Sequence, residues 1–269
     1  MLAAYVVRGL KAGLVAGLAF GLLVALVANP LVAFTDELGH EAGGEHAADG
    51  GHAGDGDHAA EAAHAEGQDG HHSAVSAAVT DLVSVGSGVL WGLLLGAVAF
   101  GVAFYFVEPA LPGTGATKHY VLAAAGFLTA SGAPWLVLPP QPPGVEQGLP
   151  TETRLLLYGG MMVAGAVVSL LAVTVYSRLR ADRGRAVAAA AAMVPLGLLA
   201  VPAALAPTNA VTHSLPADLA TGMTGLIVFG QAFLWVVLAA THARLHRRAE
   251  SGSLADESPS TTDYAVTAD

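Results

Sequence analysis

Unbroken apolar blocks run along this sequence at about 8–33, 84–107, 119–138, 156–177, 186–206 and 219–241. A helix rises about 1.5 Å per residue, so about twenty consecutive apolar residues cross the hydrocarbon of a bilayer. The blocks are rich in Ala, Leu and Gly and do not alternate with period two, which argues against a transmembrane barrel. With 54% hydrophobic and only 12% charged residues, the balance is not that of a water-soluble core. The expected fold is an all-α integral membrane protein with six transmembrane helices.

The first block begins with Arg8 and Lys11, as a cleaved signal peptide does. It is longer than the apolar region of such peptides, and the ALVANP stretch around Ala28 and Pro30 lacks a clean A-x-A site. It is therefore expected to remain as the first transmembrane helix, over 1–34. Lys and Arg near membrane ends gather on the cytoplasmic side. Six spans with both termini cytoplasmic put Arg8, Lys11, Lys118, Arg178, Arg180, Arg183, Arg185, Arg244, Arg247 and Arg248 inside, leaving only Arg154 outside. Dropping one span would reverse the side of every later loop.

This arrangement makes residues 35–82 an extracytoplasmic loop. It carries His40, His46, His52, His58, His64, His71 and His72, five of them six residues apart, and eleven acids between Asp36 and Asp81. Gly, Ala and Asp fill the remainder, so no packed core is expected there. Neutral imidazole and carboxylate together suit cobalt, nickel or zinc, whereas calcium and magnesium need oxygen alone. Six residues advance a helix by about 600°, which scatters the imidazoles around it. The loop is expected to offer several interchangeable weak metal sites instead of one preformed site, or else to serve as a solvating spacer. The acidic, lysine-poor composition points to the cell membrane of a halophilic archaeon. Molar salt there shortens screening to about 3 Å, leaving capture to coordination.

Polar groups near or within spans are costly and mark functional candidates. Glu37 follows the first span, Glu108 ends the second, His119 opens the third, and Asn209 and His213 lie in the turn between the last two. Glu37, Glu108, His119 and His213 are candidate ion ligands, with solvation at a membrane boundary as the alternative. Gln231, inside the last span, can bond across the bundle. His242 and His246, four apart, can face one cation from the end of the last helix, but Arg244, Arg247 and Arg248 make that end cationic and favour contact with lipid headgroups.

Gly9, Gly13, Gly17 and Gly21 in the first helix, and Gly88, Gly92 and Gly96 in the second, form smooth stripes. Each allows another backbone to approach, within the chain or on a partner subunit. A homo-oligomer is thus left open. Residues 83–245 form the rest of the bundle, with a Pro-rich outer loop over 139–154, and 246–269 is an acidic tail of disordered character. Pro134, Pro195, Pro202 and Pro207 interrupt helical hydrogen bonding.

The chain has no cysteine, which removes disulfides and thiolate chemistry. There is no G-x-x-x-x-G-K-[ST] loop, and HEAGGEH is too long for the H-E-x-x-H zinc-protease spacing. No enzymatic activity and no nucleic-acid partner is expected, only the lipid bilayer around the bundle.

Ala133-Pro134-Trp135, the run Leu138-Pro139-Pro140-Gln141-Pro142-Pro143-Gly144-Val145 and then Thr151-Glu152-Thr153-Arg154 resemble the signature of the CbtA family of predicted cobalt transporter subunits. Glu37, and Gln231 with Trp235, also resemble family positions. The chain departs from the pattern at Gln141 and at Gly148-Leu149-Pro150, where Asn and Gly-Asp-Pro are usual. The resemblance implies cobalt import for cobalamin synthesis beside a one-helix, His-bearing CbtB-like subunit. A membrane-anchored metal-binding or sensing protein, or a small-solute transporter with an incidental His loop, remain the alternatives.

Overall fold

The computed structural model describes residues 1–35, 74–142, 145–212 and 215–256. Among the described residues, four helices are long and apolar enough to cross a membrane: α1 (Leu2–Thr35), α2 (Ala77–Val107), α4 (Thr151–Leu205) and α5 (Ala217–Ser251). Between α2 and α4 lies the shorter α3 (Ala116–Phe127). The protein is a multi-pass, all-α membrane protein, and the expected count of six is corrected to four.

Two local features account for the difference. The block expected at 119–138 yields the twelve residues of α3, a π-turn over Leu128–Gly132 and a single 3-10 turn at Pro134–Leu136. Pro134 has no N–H with which to continue an α-helix. The blocks expected at 156–177 and 186–206 run together as α4, 55 residues long, with an elbow at Gly184 (φ 79°, ψ 166°). Beyond the elbow, Pro195 opens a 3-10 stretch over Val194–Leu199. Leu196 and Leu199 fold back against Met161 and Val168 of the first arm. A window of apolar residues has no means of registering such an elbow, since both arms are apolar.

The glycine stripes of α1 and α2 face each other. A methyl group built on Gly13 would run into the backbone of Gly92, and one on Gly92 into the backbone of Gly13 and Gly17. The small residues thus bring the two helices into backbone contact, the geometry that small-residue spacing provides in lipid. α5 packs on both α1 and α3. Phe100, Leu234, Trp235 and Leu238 interlock in the apolar centre with Ala16 and Ala123.

The two ends of the bundle differ. At one end, Arg8 of α1 approaches His246 of α5, and Lys118 opens α3 nearby. Tyr176 and Ala189, flanking the α4 elbow, share a cleft with Pro112, Gly113 and Thr117 at that end. The cations expected together therefore converge here, and we call it the basic end. At the opposite end β1 (Glu146–Gln147) pairs antiparallel with β2 (Val211–Thr212), Glu146 facing Thr212. This clasp joins the Pro-rich segment to the approach to α5.

Candidate functional site at the basic end

A tight connection sets up the site. After α2, Pro109, Pro112, Gly113 and Gly115 reverse the chain, the two glycines at φ 98° and 53°. Such left-handed backbone suits glycine, which has no Cβ to clash. The turn sets Glu108, at the end of α2, against Lys118 and His119 at the start of α3.

His242 and His246, one helical turn apart, project from α5 towards the same place. His119 and His242 are buried, at 2% and 0% exposure. Their Nδ1 atoms are 2.9 Å apart. One ring must donate and the other accept, so the two Nδ1 atoms share a single hydrogen. Phe104 stacks on His119 with ring centres 4.5 Å apart at 13°, and meets His242 edge-on at 5.1 Å. Phe100 closes the other side of His242.

His246 sits at the rim of this aromatic cage, beside Tyr5. The Arg8 guanidinium donates to its Nδ1 at 2.9 Å. Arginine has no acceptor, so His246 carries its hydrogen on Nε2. That atom faces Glu108 at 3.7 Å and Glu250 at 3.3 Å. Glu108 also accepts a hydrogen bond from the Tyr5 hydroxyl at 2.7 Å and lies 3.9 Å from Lys118. Four helices thus meet through one carboxylate and three imidazoles.

One atom is left over. Nε2 of His242 is buried with no hydrogen-bond partner. An orphaned buried polar atom costs about 1–3 kcal/mol, so its persistence asks for a reason. As they stand, no three His, Asp or Glu side chains among the described residues are arranged to hold a metal ion.

Of the residues singled out from the sequence, Glu108 and His119 come together in this cluster. His40, His46, His52, His58, His64, His71, His72, Glu37 and His213 lie outside the described residues. Gln231 lines a cavity of about 280 Å³ towards the opposite end, with Phe20, Met223 and Gln141. Asn209 accepts from the Leu149 N–H at 3.2 Å and donates to the Gln147 side chain at 3.1 Å, bracing the β clasp. His242 and His246, expected to meet headgroups, are instead turned into the bundle. Helical geometry holds the signal for this: at about 100° per residue, His242 and His246 fall within about 40° of each other, while Arg244, Arg247 and Arg248 project elsewhere. The sequence reading also missed Asn29, which donates to Asp81 at 2.8 Å and to Ser84 at 3.0 Å between α1 and α2.

A helical membrane bundle with nitrogen and carboxylate donors gathered at one end has the make-up of a protein that handles ions across or at a bilayer. Residues 2–247 match the family described as probable cobalt transporter subunit (CbtA), and the chain belongs to that family. The family is one of transporter subunits, not of enzymes. No curated protein and no solved structure matches the chain.

Proposed function

We infer that this protein is the membrane subunit of an importer for a divalent transition metal, cobalt in the first place, serving cobalamin synthesis. The observation that carries this reading is membership of the cobalt transporter subunit family across residues 2–247. The donor chemistry agrees with it. The His-rich segment between α1 and α2 gathers ions outside, and its mixture of imidazole and carboxylate favours cobalt, nickel or zinc over calcium and magnesium. Glu37 and His213 belong to the outer half of the route, Glu108 and His119 to the inner half. A small His-bearing helix completes the assembly.

A metal-binding subunit that moves nothing by itself is the second reading. It is favoured by the apolar layer of Phe100, Leu234, Trp235 and Leu238 near the centre of the bundle. One experiment separates the two: cell-associated cobalt, nickel and zinc at limiting supply in a strain lacking the gene, complemented with the full chain or with the chain deleted for 39–72. Import with loop capture requires cobalt to rise with the full chain, and the deletion to weaken uptake chiefly when metal is scarce. If no metal responds to the full chain, even with the small partner co-expressed, the import reading fails.

A further inference from the structure

The three imidazoles at the basic end are placed more tellingly than their present hydrogen bonds suggest. The ring centres of His119 and His242 are 4.9 Å apart, those of His119 and His246 5.4 Å, and those of His242 and His246 6.2 Å. In a tetrahedral site each ring nitrogen lies about 2.0–2.1 Å from the metal and each ring centre about 1.1 Å further out, so ring centres fall about 5.2 Å apart. The observed triangle brackets that spacing. What it lacks is orientation: the His119–His242 pair is closed on itself, and His246 is turned towards Arg8 and Glu108.

We propose that His119, His242 and His246 form an inner three-imidazole site for a divalent transition ion, with the Glu108 carboxylate as its fourth ligand. The inference rests on the reading of the chain as a metal carrier and adds the place where the ion is held at the basic end. In the metal-free arrangement the shared Nδ1 hydrogen bond satisfies two of the donors. Arg8 and Lys118 hold the other two, His246 and Glu108, at the rim. The ion replaces these contacts when His246 turns inward, away from Arg8. The orphaned Nε2 of His242 then ceases to be a puzzle: a ring whose two nitrogens cannot both be satisfied within the protein is free to exchange one tautomer for the other. Phe100, Phe104 and Tyr5 wall the site. A three-nitrogen, one-carboxylate set suits cobalt and zinc, and refuses magnesium.

The test uses the full chain with His40, His46, His52, His58, His64, His71 and His72 each changed to Gln, purified in detergent and titrated with Co(II). The expected result is one cobalt per chain with the intense visible bands of four-coordinate Co(II), unaffected by excess Mg(II). His246→Gln and His242→Gln are each expected to weaken cobalt binding by at least about tenfold. His246 stands at the rim, so its substitution spares the packed core. The spectrum of the chain with these three histidines intact decides the matter even if His242→Gln fails to fold. Weak six-coordinate bands, no binding, or an affinity indifferent to His246→Gln would overturn the site. Cobalt accumulation in cells is read separately. If it fails while the four-coordinate spectrum appears, the import reading falls and the site stands.

Discussion

The α1–α2 pair and the α4 arm are equally apolar but are held in different ways. In the most apolar stretch of α1, 33% of residues are buried, against 22% in α4, at hydropathies of 2.2 and 2.1. The pair meets backbone to backbone along its glycine stripes. α4 shows Leu155, Leu156, Val163, Leu170, Val194 and Leu205 on its surface, and a methyl group built on its Gly159 or Gly160 would meet open space. Hydrophobicity therefore sets residence in lipid, while the spacing of small residues sets which helices touch. Lipid tails are as apolar as Leu, so only close packing and polar bonds distinguish a neighbour from solvent.

The contrast is open to direct attack. The largest effect is expected from Gly13→Val, because the added side chain must enter the space occupied by the Gly92 backbone. Overpacking a well-packed core costs about 1–3 kcal/mol, and here only backbone is available to yield. Size-exclusion of the detergent-solubilised protein should show loss of the monodisperse folded species; a normal profile would break the claim that the seam is rigid. Next comes Gly184→Ala at the α4 elbow. Its backbone lies in a region nearly reserved for glycine, so a loss of about 1–3 kcal/mol is expected in thermal unfolding.

Glu108→Gln follows. It loosens the tie among Tyr5, Lys118 and His246, and because the carboxylate is partly exposed the cost is about 1 kcal/mol. A melting temperature identical to that of the parent chain would mean that the basic end is held by its aromatic cage alone. The smallest effect is predicted for Gly160→Ala, where nothing stands in the way. Replacing a helical glycine on this lipid-facing surface should stabilise by about 0.5–1 kcal/mol. Any destabilisation there would indicate that α4 has a close neighbour in the assembled protein.

These expectations also mark what the sequence makes legible. Helical class, membrane residence and the α1–α2 seam follow from local pattern: apolar length and glycines four apart are visible in one dimension. The gathering of cations at one end follows from a charge rule of the same kind. The number of long helices does not, because it depends on how Pro134 and Gly184 divide or join apolar stretches of similar composition. The site was half visible. Glu108 and His119 stand out as polar residues at the ends of apolar blocks. His242 and His246 are masked by three arginines on other faces of the same helix. Their burial depends on Phe100 and Phe104, some 140 residues earlier in the chain, and no local rule links these positions.

The seam described above has a further consequence for movement. Gly has no rotamers to surrender, so α1 and α2 come together without side-chain entropy cost, and for the same reason they have no means of easing a misfit. Carbonyl ridges and glycine gaps repeat every four residues, so a slide that restores the fit must advance about 6 Å, and anything less collides. Two rods meshed in this way behave as a fixed keel. Whatever opens and closes in this protein is left to the helices hung beside them, α3, α4 and α5, and two of those carry His119 and His242.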